Sequence, residues 1–260
     1  MKYSVYVTLL LCFCVNVAVL AQTEENAYLN IDYFMVDSED YSEFESLVTE
    51  EWKELLATKQ SPDQLTGWYF YRVVYPGGQS SEYNYVIIST YKDPNTLVQV
   101  NNAIDEETNR SEERLMDQTF DLATHQFSEL WKTEAGIFSN NNSGPSEFVL
   151  FNYMMVNPGK GAEYLTLEND MARPLHEARI KDGRMHSWRT YSLMQPGGLD
   201  YKYNFATADH FTELNHIEFG FTNELIKSVM PGTDINEMFE AIYATRDIIK
   251  SETWQLVDSL

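Results

Sequence analysis

The stretches WYFYRVVYPGG (68–78) and WRTYSLMQPGG (188–198) share the skeleton W-x-x-Y-x-x-x-x-P-G-G at a spacing of 120 residues. Working outward at that shift, Tyr33 meets Tyr153, and Met35 and Val36 meet Met155 and Val156. Glu43, Leu47 and Leu55 meet Glu163, Leu167 and Leu175, and Tyr83 and Asn84 meet Tyr203 and Asn204. One ungapped register over so long a span marks an internal duplication.

Each copy reads as the same series of elements. Residues 28–36, YLNIDYFMV, are aromatic and β-branched, which predicts a strand. Phe44, Leu47, Val48, Leu55 and Leu56 recur at helical spacing, with Glu51 and Glu54 off that stripe. Ser38 or Asp40 can cap that helix. A second strand over 66–75 runs into Pro-Gly-Gly, a turn, because proline has no amide donor and glycine accepts a positive φ. A third strand over 82–91 closes a hairpin. A helical region follows, with a break near 108–111 and a helix over 112–132, and AGIFS (135–139) reads as a short fourth strand. The second copy repeats the plan: strand 147–156, helix 161–179, strands 184–194 and 201–209, helices 211–229 and 234–250, and TWQLVDS (253–259) as the last strand. A β-α-β-β-α-β unit leaves one sheet face uncovered. The expectation is that the two copies cover each other's open faces and share one core.

Residues 1–21 carry Lys2 near the start, then an apolar run, then Val19 and Ala21 before Gln22, the pattern of a cleaved export signal. The run is short for a bilayer span, so an uncleaved anchor is the lesser reading. Cys12 and Cys14 both fall in that segment, which leaves the remainder without a disulfide, thiolate ligand or cysteine nucleophile. The expected location is periplasmic or secreted, with no stable membrane span once the signal is removed. A formal charge of −22 repels phosphate backbones, so nucleic acid is excluded as a partner.

The chain resembles the dimeric α/β-barrel superfamily, and within it tandem, exported, ferredoxin-like members. The resemblance rests on the aromatic first strand, its helix, the W-x-x-Y strand entering PGG, the Tyr-Asn strand, and the segment KSETWQL (250–256). It implies an α+β fold of two ferredoxin-like β-α-β-β-α-β repeats packed sheet to sheet as an intramolecular dimeric α/β barrel. The implied divisions are a signal at 1–21, repeats at 22–140 and 147–260, and a linker at 141–146. It also implies a monomer that is itself a pseudo-dimer, or a homodimer. Members include haem-degrading and cofactor-free quinol monooxygenases, muconolactone isomerases and dye-decolourising peroxidases, so the fold does not choose an activity.

Strand parity puts Tyr69, Tyr71 and Val73 on one face, and Trp68, Phe70 and Arg72 on the other; Arg189 and Tyr191 oppose His186 and Trp188. The duplicated Tyr33, Tyr153, Tyr71 and Tyr191 are candidates to line a cavity for a small hydrophobic or aromatic molecule. Trp68 and Trp188 read as sheet-filling aromatics or as a stacking wall. His176 and His186 bracket a basic patch of Arg173, Arg179, Lys181, Arg184 and Arg189 that holds an anion or balances acidic helices. Glu168 and Asp170 read as a solvated helix face. His186 is the candidate acid–base residue. By the haem-degrading resemblance His125, read on the long helix, is the candidate haem ligand, with Asn30 or Asn152 beside it. No cofactor or metal is expected: His210 and His216 lack the HExxH spacing, and no G-x-S-x-G elbow exists. The main expectation is a small-molecule binding or structural module. The alternative is a cofactor-free monooxygenase or isomerase acting on a ring compound.

Overall fold

The computed structural model describes residues 27–59, 65–77, 81–96, 106–138, 144–198 and 201–260. The signal expectation for 1–21, Gly78 of the first PGG turn and the first half of the linker lie outside them. In the first copy the strands are β1 (Tyr28–Val36), β2 (Gly67–Tyr75), β3 (Tyr85–Tyr91) and β4 (Ala123–Ile137). In the second they are β5 (Phe148–Val156), β6 (Ser187–Gln195), β7 (Phe205–Phe211) and β8 (Arg246–Ser259). Helices α1 (Tyr41–Ser46) and α2 (Lys53–Lys59) are joined by a π-helical stretch, Leu47–Trp52, and α3 spans Glu106–Leu122. Helices α4 (Gly161–Leu167) and α5 (Arg173–Lys181) are joined in the same way by Glu168–Ala172. A 3-10 turn (Leu214–Glu218), α6 (Asn223–Val229) and α7 (Ile235–Thr245) complete the second copy.

All eight strands belong to one closed, antiparallel sheet in the order β1-β3-β2-β8-β5-β7-β6-β4, with β4 bonded back to β1. The expected sheet-to-sheet packing of two separate four-stranded sheets as a dimeric α/β barrel is therefore corrected. The copies join through strand edges, β2 with β8 and β4 with β6, so both ferredoxin-like units share one hydrogen-bonded ladder. Edge groups left unpaired in either copy would need another partner, and closure supplies it.

Long fourth strands make this possible, and they correct two expected helices. α3 stops at Leu122 and α7 at Thr245, where β4 and β8 begin. The inward row Phe127, Glu129, Trp131 has period two, but an acidic residue sits in its middle. A register shift opposite Tyr33 and Phe34 breaks the alternation again, and β8 carries a matching shift opposite Tyr153 and Met154. Those two features hide the strand among helical-looking residues.

The enclosed side of the sheet is packed with Ile31, Tyr33, Trp131, Phe151, Tyr153 and Trp254, among others. The outer side carries Trp68 and Phe70, packed against Phe44 of α1 in the first copy, and Trp188 and Phe211 under the second copy's helices. The PGG turn after β2 lies tight on β8: a Cβ at Gly77 would stand 2.8 Å from the Ser251 carbonyl oxygen, so only glycine fits. No helix among the described residues is long and apolar enough to cross a membrane.

The hairpin asparagines extend the ladder. Asn84 accepts from the Val36 amide at 2.9 Å and donates to its carbonyl at 2.8 Å; Asn204 does the same for Val156 at 2.8 and 2.9 Å. Asn84→Ala leaves both Val36 groups unpaired and is expected to cost about 1–3 kcal/mol, read from the midpoint of urea unfolding. An unchanged midpoint would show that these bonds are replaced by water at no cost.

Candidate functional site

Parity sends the candidate residues to two different places. Tyr33, Tyr71, Tyr153 and Tyr191 face the enclosed core. Trp68 and Trp188 face outward and are covered by helices, at 1% and 0% exposure. Arg189 lies over the Phe138 ring at 4.5 Å, and half-buried His186 bonds the Ser187 hydroxyl at 3.2 Å. His125 is on β4, not on a helix: its Nε2 lies 3.0 Å from the Ser128 hydroxyl and its ring is edge-on to Phe34. That placement removes the basis on which it was read as a haem ligand.

The enclosed core holds a polar knot that sequence reading missed. Glu129, 1% exposed, accepts from Tyr33 and Trp131 through one oxygen and from Tyr201 and Tyr203 through the other. Glu252, its counterpart on β8, accepts from Tyr83 at 2.6 Å and from Trp254, and takes Lys250 at 3.1 Å. Tyr33 and Tyr153 hydroxyls meet at 3.1 Å. Burial, then the Glu129 charge, pushes the Tyr33 hydroxyl well above its usual range; burial, then the Glu252 charge, does the same for Tyr83. These tyrosines therefore stay protonated as donors. The signal was present as S-E-x-W, Ser128 to Trp131 and Ser251 to Trp254, repeated at a shift of 123 rather than 120. The knot is satisfied internally, which fits a structural role.

A different arrangement lies between the sheet and the helices of the second copy. A cavity of about 270 Å³ opens there, with Glu168, His176, Arg179, Trp188, Asp209 and Arg246 among its walls. Leu175, Phe221, Met238 and Ile242 supply apolar surface. The π-helical stretch begins at Glu168, and such widened turns recur at functional sites. Glu168 is buried, not on the solvated face expected of it. Burial raises its pKa to about 7, against opposing contributions from the Tyr164 hydroxyl and Arg246.

His176 stacks on Trp188 at 5.0 Å and receives Arg179 Nη1 at 3.1 Å on Nδ1. A guanidinium only donates, so Nδ1 is the acceptor and Nε2 carries the proton. Burial, then Arg179, pushes the His176 pKa well below its usual value, so the ring is neutral. Arg179 also pairs with Asp209 at 3.4 Å; burial raises the Asp209 pKa while Arg179 opposes the rise. Arg179 Nε, Trp188 Nε1 and Arg246 Nε are buried donors without a protein acceptor, and all three residues line this cavity. Buried donors in a native protein are nearly always paired, so these mark a place for an acceptor-bearing guest.

The duplication supplies an internal reference. At positions where the second copy has Glu168, His176 and Asp209, the first has Val48, Leu56 and Ser89. At these three positions one copy thus keeps uncharged residues where the other has buried titratable groups. Reading the copies for their differences, rather than their matches, would have found this site.

No protein-family model matches the chain, and no curated protein matches it. Among solved structures it is similar to a putative monooxygenase from Fusobacterium nucleatum subsp. nucleatum, at 9% identity over 90% of this chain and 94% of that one, TM-score 0.61. It is similar to a putative monooxygenase from Lactobacillus acidophilus NCFM at 9% identity over 90% and 95%, TM-score 0.55. A heme-binding protein from Thermus thermophilus matches at 12% identity over 90% and 92%, TM-score 0.50. At such identities the likeness shows the ferredoxin-like fold, which the strand and helix order displays.

Proposed function

We propose that the second-copy cavity binds a small ring compound and that Glu168 moves a proton to and from it, as in a cofactor-free monooxygenase or isomerase. The observation that carries this is the meeting, in one cavity, of a buried carboxylate with three unpartnered donors. The apolar wall takes the ring. A carbonyl or hydroxyl oxygen of the guest accepts from Trp188 Nε1 and Arg179 Nε, which stabilises the anion formed when the proton leaves. A carboxylate with a pKa of about 7 is a stronger base than an ordinary glutamate and is half ionised near neutrality. Two neighbours with this fold are putative monooxygenases, which supports the reading.

Both chemistries share the deprotonation step. An isomerase returns the proton to a different carbon of the same ring. In a monooxygenase the ring anion meets O2: one oxygen atom becomes the new carbonyl, and the other leaves as water with the two hydrogens of the former methylene. Haem does not fit this site. His176 presents a protonated Nε2, with Nδ1 occupied by Arg179, so it offers no lone pair to iron.

The test is deuterium exchange. 2-Tetralone, a two-ring ketone with an acidic methylene, is incubated with the protein in D2O and followed by proton NMR. Accelerated exchange that Glu168→Gln abolishes is the expected result. Exchange no faster than in carboxylate buffer would end the proposal. An oxygen electrode then distinguishes monooxygenase from isomerase.

A further inference from the structure

The first copy has its own cavity in the corresponding place, of about 350 Å³, between the sheet and α3. It differs chemically from the one above. Its floor is Val48, Leu56 and Trp68, and no lysine or arginine lines it. Asp32, on β1, reaches the rim as the one carboxylate among the lining residues. Its second-copy counterpart is the uncharged Asn152.

Asp32 is held in place. Its Oδ2 accepts from Asn30 Nδ2 at 2.7 Å, and its Oδ1 accepts from the Ser128 hydroxyl. Each carboxylate oxygen has a second lone pair, so each can take a further donor. Among the described residues its one ion-pair contact is His125 Nε2, at 3.5 Å. Phe34, Trp52 and Trp68 line the same space, and aromatic rings favour a cation. Met116 and Phe120 of α3 form an exposed apolar lip, 39% and 53% accessible. Large apolar side chains at a cavity mouth suit the passage of an apolar guest.

We propose that this cavity is a second, independent site that takes a hydrophobic amine, with the apolar body on Trp68 and Val48 and the ammonium on Asp32. The complement is specific in sign. An anion would face the Asp32 carboxylate with no lysine or arginine in the lining to offset it, and a neutral guest would add no ion pair to the His125 contact. The volume lies near the lower end of the roughly 300–1,000 Å³ usual for small-molecule sites, which suits a one-ring or two-ring amine. This site does not depend on the activity proposed for the second copy.

Isothermal calorimetry with three guests of one shape tests it: phenethylamine, propylbenzene and hydrocinnamate, which present a cation, a methyl group and a carboxylate at the same position. The wild-type chain is expected to bind the amine about tenfold or more tighter than propylbenzene, the scale of one charge-assisted hydrogen bond, and hydrocinnamate weakest of all. Asp32→Asn is expected to reduce the amine to the affinity of propylbenzene, while Glu168→Gln leaves the amine affinity unchanged. Equal binding of amine and propylbenzene to the wild type, or no binding of either, overturns the proposal without reliance on any variant. Loss of amine binding in Glu168→Gln rather than in Asp32→Asn places the guest in the other cavity and overturns it as well.

Discussion

Glu129→Ala is expected to destabilise the protein by about 3–5 kcal/mol, the cost of breaking a buried charged network from one side. The carboxylate receives Tyr33 at 2.8 Å, Trp131 at 2.9 Å, Tyr201 at 2.5 Å and Tyr203 at 2.6 Å. Alanine leaves all four donors without their acceptor. Tyr33 and Trp131 are 0% exposed and cannot turn to solvent, whereas Tyr201 is partly open and recovers water. Glu129→Gln keeps the volume and one acceptor oxygen, so its loss should be smaller. Thermal unfolding of the alanine variant should shift down by roughly 10 °C for a chain of this size. A shift within one or two degrees would mean that the knot contributes no more than a surface hydrogen bond, and that its tyrosines find other partners.

The second large effect is a stability that falls as pH rises, owing to Glu168. Its folded pKa is about 7 against an ordinary 4.5. Between those values the folded state binds more protons than the unfolded state, so unfolding free energy decreases with pH. Below the unfolded pKa both states are protonated and the group contributes nothing. Above the folded pKa both are ionised, and the full burial cost is present, about 3 kcal/mol at 1.36 kcal/mol per pKa unit. Glu168→Gln removes the titration. The variant should match the wild type near pH 4 and exceed it by about 2–3 kcal/mol near pH 8, read from urea unfolding across that range. Parallel pH profiles for the two proteins would refute the assignment. A stabilising substitution at a buried carboxylate is what a site that gives up stability for reactivity should show.

The two copies make clear which parts of this molecule could be read from the chain. β1 agrees with the expected strand residue for residue, and the helices that follow β1 and β5 start within a few residues of their expected positions. Their signals are local: period two in YLNIDYFMV, and helical spacing from Phe44 to Leu56. β4 was read largely as helix, and β8 over its first part, Arg246–Lys250, because their inward rows contain Glu129, Lys250 and Glu252. Those polar groups are tolerated inward only because tyrosines from Tyr33 to Tyr203, far away in sequence, come to meet them. No window of sequence around Glu129 contains that information.

The candidate site divides along the same line. His176 and Arg179 stood out as basic residues in an acidic chain, but reading them as an anion site or a balance to acidic helices missed that Trp188 and Phe221 enclose the histidine. Glu168 was passed over as solvated because acidic residues on helices usually are. Its burial depends on α4 and α5 lying over β7, which brings Asp209 into the same space.

The amino-acid sequence alone determined the duplication, the order of elements in each copy and the hairpin turns, because register, periodicity and proline–glycine chemistry act over a few residues. Only the tertiary structure decided that the copies join edge to edge rather than face to face. It alone decided that tyrosine hydroxyls bury two carboxylates, and that one copy's outer pocket gathers Glu168, His176, Arg179 and Asp209 while the other's has Asp32 as its one carboxylate. The reason is physical: backbone pairing between distant strands and the burial of a charge are settled by groups that meet only when the chain closes on itself.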